Sequence, residues 1–120
     1  MKLLEILHPD FCFEDMRGTL AQISHESIAQ VNAVFTKKGA KRGNFHYHKQ
    51  ARESFYILSG KISVTVRFEN EEESYLFKTG DYFCVPENVA HQFEYLDDTY
   101  LVVLYSARVE MPDGTKDIHV

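Results

Sequence analysis

Long apolar runs are missing from this 120-residue sequence. No stretch approaches the roughly 20 residues that a helix needs to cross a bilayer, so a membrane-spanning protein is not expected. Basic charge is scarce as well, with 13 Lys and Arg against 18 Asp and Glu for a net charge of −5. The one basic cluster, Lys37, Lys38, Lys41 and Arg42, is short, which argues against a protein that binds nucleic acid by neutralising phosphates. Only two cysteines occur, Cys12 and Cys84, and they lack CxxC or zinc-finger spacing. That removes a disulfide framework and a thiolate metal site, and both are expected as buried core thiols. The start, Met1-Lys2-Leu3-Leu4-Glu5, carries an acid where a signal peptide would continue apolar, and a cytoplasmic location follows as the expectation. Internal repeats, low-complexity tracts and Pro/Gly/Ser-rich linkers are absent too, so the chain reads as one domain over 1–120, with a core over about 19–106 and a tail over about 107–120.

What is present is a composition that can fill a core, 44% hydrophobic and 13% aromatic, arranged with a period of two. Ile62, Val64, Val66 and Phe68 alternate with Ser63, Thr65 and Arg67, the pattern of a half-buried strand with Arg67 facing out. Similar short runs lie at Thr19 to Ser24, Ala29 to Phe35, Asn44 to His48, Ser54 to Leu58, Ser74 to Lys78, Tyr82 to Val85, His91 to Tyr95 and Tyr100 to Tyr105. Turn signals separate them, among them Lys38-Gly39, Ser59-Gly60, Glu69-Asn70, Thr79-Gly80 and Asp97-Asp98. No segment has the apolar spacing of an amphipathic helix. The expected fold is therefore all-β, an antiparallel sandwich or barrel. The acidic run Glu71-Glu72-Glu73 is expected in a solvated hairpin loop, and the tail around Met111-Pro112-Asp113-Gly114-Thr115-Lys116 as a loose end with turn chemistry.

Three of the six histidines carry the chemistry. His46 and His48 are two residues apart, on one face of a strand and about 6.6 Å from each other along it. Glu53 follows after Lys49-Gln50-Ala51-Arg52 and heads an inward row that continues with Phe55 and Ile57. A carboxylate beside such apolar neighbours needs a partner. His91 opens a further inward row with Phe93 and Tyr95, while Gln92 and Glu94 point away. The two imidazoles of His46 and His48 can converge on one ion, and a metal would supply the partner that Glu53 needs.

His-x-His, four residues, Glu, six residues and Gly60 resembles the first motif of the cupin superfamily, and Gly80, five residues, Pro86 and then His91 resembles most of the second. The resemblance implies a small antiparallel jelly-roll barrel, the double-stranded β-helix, with one divalent transition metal ion held inside by His46, His48, Glu53 and His91; three imidazoles and one carboxylate suit Fe, Mn, Ni, Zn or Co, with positions left for water or substrate. The chain departs from the pattern at Ala40, where a glycine is usual, at Asn88 in place of the glycine after Pro86, and at Tyr95 in place of the closing asparagine. Asn88 is the non-glycine residue type that best tolerates positive φ.

Asp15-Met16-Arg17-Gly18, with Arg42-Gly43 ahead of the histidines, looks like elements of cupin 3,5-epimerases and 3,4-ketoisomerases that act on nucleotide-linked keto-sugars. Two residues, Asn44 and Phe45, separate Gly43 from His46 where those enzymes usually have one. This second resemblance implies substrate contacts from Arg17 and Arg42; Phe93, on the inward row between His91 and Tyr95, is expected to contact substrate as well. The expected activity is isomerisation or epimerisation of a small polar metabolite, the metal polarising a carbonyl and Tyr95 assisting proton transfer. A metal-dependent dioxygenase and a non-catalytic ligand-binding sensor are the alternatives, since one fold hosts many chemistries. A homodimer is expected, with the apolar run Leu3, Leu4, Ile6 and Leu7 as an exchanged edge.

Overall fold

Alternation in sequence becomes two facing sheets. In the computed structural model, which describes residues 2–120, the strands run β1(Glu5–Leu7), β2(Phe11–Asp15), β3(Gly18–Gln22), β4(Gln30–Thr36), β5(Lys41–His46), β6(Glu53–Ser59), β7(Lys61–Phe68), β8(Glu71–Lys78), β9(Tyr82–Val85), β10(Ala90–Tyr95) and β11(Thr99–Tyr105). One sheet has the order β1-β9-β6-β11-β4 and the other β5-β10-β7-β8. All pairings are antiparallel, including those between strands distant in sequence, such as β6 with β11 and β5 with β10. The inward residues of the two sheets, among them Phe55, Ile57, Ile62, Val64, Val66, Phe83, Phe93 and Leu101, form one buried core. Each buried aliphatic or aromatic side chain contributes about 1.5–3 kcal/mol relative to exposure. No helix of the described chain is long and apolar enough to cross a membrane.

Three expectations are corrected. Glu71, Glu72 and Glu73 belong to β8, because the hairpin from β7 closes on Glu69-Asn70 and leaves the acids on a solvated edge strand. Glu73 also accepts the Leu3 N–H at 2.7 Å and the Tyr75 hydroxyl at 2.6 Å. Cys84 is buried, but Cys12 is exposed on β2, which pairs only with β3 in a hairpin separate from both sheets. Leu3 and Leu4 are buried in the chain's own core, and β1 pairs with β9. Within the single chain the N-terminal run is thus packed at home, and β1 is the outermost strand of its sheet. Finally, the tail is docked.

One carboxylate accounts for that docking. Asp117 is buried and accepts the backbone N–H groups of Lys49 and Gln50, each at 2.8 Å, while His119 and Tyr47 bond backbone to backbone in both directions. Turn chemistry remains at Met111 to Thr115, but the segment is a strap across the barrel. Burial alone would raise the Asp117 carboxyl; the Lys49 and Gln50 amides and His119 outweigh it and hold it below its ordinary 3.8. Its stabilisation is therefore complete above that value and is lost as pH falls through the lower folded value. Asp117→Ala is expected to cost roughly 2–4 kcal/mol, read from urea unfolding at pH 7, because two charge-assisted hydrogen bonds disappear and two amides are left unpaired. The deficit should shrink as pH falls below 3.8 and through the lowered folded value, where the wild-type carboxyl also protonates.

Candidate functional site

A strained bulge sets the first histidine. Gly43, Asn44 and Phe45 all have positive φ, at 105°, 48° and 54°. They occupy the register shift where β5 passes β10 between His91 and Phe93. A left-handed Phe is a conformational outlier, and here its ring is covered by the Arg67 guanidinium at 3.7 Å, itself tied to Glu72 at 2.5 Å. The extra residue between Gly43 and His46 is absorbed by this bulge. As a result His46 lies directly opposite His91 in register, and His46 Nδ1 donates to the Gly43 carbonyl at 2.5 Å.

The other members arrive from separate elements. His48 follows β5 in the loop, and its Nδ1 donates to the Asp117 carbonyl of the strap. Glu53 opens β6 and pairs with Val85 and Tyr105 on its two neighbours; His91 lies on β10 of the opposite sheet. The imidazole centroids are 4.5 Å apart for His46 and His91, 5.0 Å for His46 and His48, and 6.1 Å for His48 and His91. His48 Nε2 faces Glu53 Oε1, and His91 Nε2 is 3.7 Å from that same oxygen. One ligand-type atom from each of His46, Glu53 and His91 falls within a 4.8 Å span.

Burial makes this gathering costly as it stands. His48, Glu53 and His91 are 6%, 4% and 4% exposed. Apart from facing each other, His48 Nε2 and Glu53 Oε1 have no hydrogen-bond partner, and neither does His91 Nδ1. Burial pushes His91 down to about 4, so its ring is neutral at pH 7. Burial pulls Glu53 upward, but His48 and His91 outweigh it and keep the carboxyl low. Burial also works against the His48 cation, yet Glu53 and Asp117 hold its value above the ordinary 6.5. A divalent ion bound by the imidazole Nε2 atoms and Glu53 would supply the partner that His48 Nε2 and Glu53 Oε1 lack. With Nδ1 of His46 and His48 committed to carbonyls, each Nε2 lone pair is free, and the carboxylate completes a hard and borderline donor set. The residues therefore fit a metal.

A cavity of about 240 Å³ opens from the cluster. Its apolar walls include Phe55, Phe93, Val103 and Val109, and its polar lining comprises Gln30, Asn32, Arg42, Tyr95, Tyr105 and Glu110 beside the cluster. Arg42 donates from Nε to Thr36 Oγ1 at 2.8 Å; no carboxylate pairs with it among the described residues. Tyr95 is buried at this end, its hydroxyl close to Thr36, and burial raises its phenol. Phe93 sits between His91 and Tyr95, with ring centroids 5.6 and 6.3 Å away. The cavity thus gathers the four proposed ligands with Arg42, Phe93 and Tyr95. It does not include Arg17, which lies exposed in the β2–β3 turn, bonded to Asp15 at 2.6 Å.

Sequence reasoning missed Gln30, Asn32, Tyr105 and Glu110. Gln30 and Asn32 alternate with Val31, Ala33 and Phe35, and the usual rule would turn the polar set outward. The structure has the opposite orientation, with Val31 and Phe35 exposed.

The family profile described as "Cupin domain" matches residues 34–106. No curated protein matches the sequence. Among solved structures, the chain is similar to a 3,4-ketoisomerase from Thermoanaerobacterium thermosaccharolyticum in complex with TDP, at 19% identity and a TM-score of 0.79, over 95% of this chain and 86% of that one. A TDP-quinovose 3,4-ketoisomerase from Campylobacter jejuni is similar at 19% identity and 0.79, over 97% and 94%. A dTDP-6-deoxy-D-glucose-3,5-epimerase from Legionella pneumophila, in complex with dTDP-4-keto-L-rhamnose, is similar at 18% identity and 0.74, over 95% and 71%. These likenesses show a shared fold.

Proposed function

The chain belongs to the cupin domain family, and from that premise we propose that it isomerises or epimerises a small keto metabolite of the sugar or sugar-nucleotide type, with a divalent transition metal held by His46, His48, Glu53 and His91. The observation that carries the proposal is the buried cluster itself, at the head of a cavity that also contains an unpaired cation. Similar folds among TDP-sugar ketoisomerases and epimerases support the substrate class. When bound, the metal supplies a Lewis acid for a carbonyl or enediolate oxygen.

The chain's own residues do the rest. Arg42, free of any carboxylate, would bind an anionic end of the substrate. The ring of Phe93 would floor the cavity between that end and His91. Phe55, Val103 and Val109 would exclude water and so strengthen each electrostatic contact. Tyr95, neutral at pH 7, would donate a proton to a substrate atom at the Arg42 end. The dioxygenase alternative has no observation of its own here. Incubation with TDP-4-keto-6-deoxyglucose, the ligand of one similar ketoisomerase, in deuterated water should wash deuterium into the sugar beside the ketone. An unlabelled sugar, with metal present in the protein, would contradict the isomerase reading.

We also propose a homodimer in the cytoplasm. A two-stranded hairpin is marginal by itself, yet β2–β3 leaves Phe11, Phe13 and Leu20 about half exposed, and Val31, Phe35, Leu58 and Tyr100 add an apolar outer face on the five-stranded sheet. Patches of this kind mark interfaces. Size-exclusion chromatography with light scattering should give twice the chain mass, and a single-chain mass would refute the dimer.

A further inference from the structure

The C-terminal strap and the cavity are joined by a hydrogen-bond path whose direction is imposed at one end. The Val109 backbone N–H donates to Gln30 Oε1 at 3.0 Å. A backbone N–H can only donate, so this contact fixes which way the Gln30 amide faces and turns its NH₂ to Asn32 Oδ1, 3.3 Å away. Asn32 is thereby oriented in turn, and its Nδ2 donates to the Tyr105 hydroxyl oxygen at 3.3 Å. The phenolic hydrogen is left to point elsewhere, and among the described residues no group accepts it. Tyr105 lines the cavity with Gln30 and Asn32, lies opposite Glu53 in register, and has its ring 6.3 Å from that of His48. A buried hydroxyl without an acceptor is costly unless a ligand supplies one.

We propose that Tyr105 is a ligand-facing hydrogen-bond donor of this cavity, its direction set by a one-way amide relay, Val109 to Gln30 to Asn32, that begins in the strap. The ligand atom it meets is an acceptor oxygen beside the histidine cluster: a carbonyl, a carboxylate or an oxyanion. Burial, with the nearby Glu53 charge, pushes the phenol well above its ordinary value, so the group stays protonated at neutral pH. Gln30 and Asn32 are positioning residues that act through Tyr105. The inference rests on the proposed function only in taking this cavity as the place where the ligand sits.

The sharpest variant is Gln30→Glu. A carboxylate can still accept from Val109, but it has no N–H to offer Asn32. Asn32 would then turn its NH₂ toward Glu and its oxygen toward Tyr105, and the phenol would donate to Asn32 rather than to the ligand. In ligand-free protein at pH 7, nuclear Overhauser contacts from the Asn32 carboxamide protons to the Tyr105 ring should be present in the wild type and absent in Gln30→Glu. Persistence in the variant would overturn the relay. Calorimetric titration with oxalate, which offers only acceptor oxygens, should show binding weakened roughly tenfold to a hundredfold by Tyr105→Phe. Gln30→Glu should weaken it comparably, and the double variant should be no worse than either single one. Additive losses would mean that the new charge merely repels oxalate, and wild-type affinity in Gln30→Glu would mean that its role is structural; either outcome sinks the proposal. If the wild type takes up neither metal nor oxalate, the function proposed above fails, while the amide contacts still decide the relay.

Discussion

Gly43→Ala is expected to lower the stability of the barrel by several kcal/mol and to disrupt the histidine cluster. At this residue φ is +105°, and an added Cβ would stand 2.6 Å from the His91 carbonyl oxygen and 3.1 Å from Gln92 Cα. Both obstructing atoms are backbone, so no side chain can rotate away. The strain of the left-handed conformation adds about 1 kcal/mol, and the displacement of β5 from β10 adds more. The same bulge aims His46 and anchors its Nδ1 on the Gly43 carbonyl, so the lost stability and the lost site should appear together. Gly80→Ala is the control. Its φ is +89° with nothing within 4 Å of the added carbon, and it should cost only about 1 kcal/mol. Urea unfolding of the two variants should separate them clearly, and equal losses would mean that the close approach of β5 to β10 is unimportant.

Glu53→Gln should reduce affinity for a divalent metal by more than the ~10–100-fold that partners merely orienting a ligand are worth, because it removes the only anionic donor of the set while preserving its shape. Glu53→Ala should do this and also destabilise the metal-free fold by about 3–5 kcal/mol, the usual cost of stranding one member of a buried pair. The bereft partner is His48, whose Nε2 faces Glu53 Oε1 from a site 6% exposed. Competitive titration with a chromophoric chelator measures the first effect and thermal unfolding the second. If Glu53→Gln holds metal as the wild type does, the carboxylate is not a ligand.

The parts of this fold that were legible in the sequence are those where side-chain alternation and burial agree. Ile62, Val64 and Val66 are wholly buried on β7, as their spacing predicts, and Asn88 does adopt positive φ, at 68°. The grouping of His46, His48, Glu53 and His91 was legible through the resemblance to the cupin motifs, and the fold brings His46 and His91 together on paired strands and Glu53 from the facing sheet. Legibility ended where one tertiary contact decides the outcome. Asp117 ties the tail down through two amides more than sixty positions away, and no local pattern announces that. On β4 the alternation is present but inverted. Gln30 and Asn32 line a cavity that needs polar groups, while Val31 and Phe35 face outward, where a second copy of the chain is proposed to cover them. The β2–β3 hairpin was half missed because its apolar residues face neither sheet.

Elemental analysis of wild-type protein, purified without added metal, tests the central claim most directly. The account predicts close to one equivalent of a divalent ion from the set Fe, Mn, Ni, Zn and Co per chain, falling to near zero in both His48→Ala and Glu53→Ala. A wild type that carries no such ion and takes none up from any of the five, or variants that retain it in full, would contradict the account.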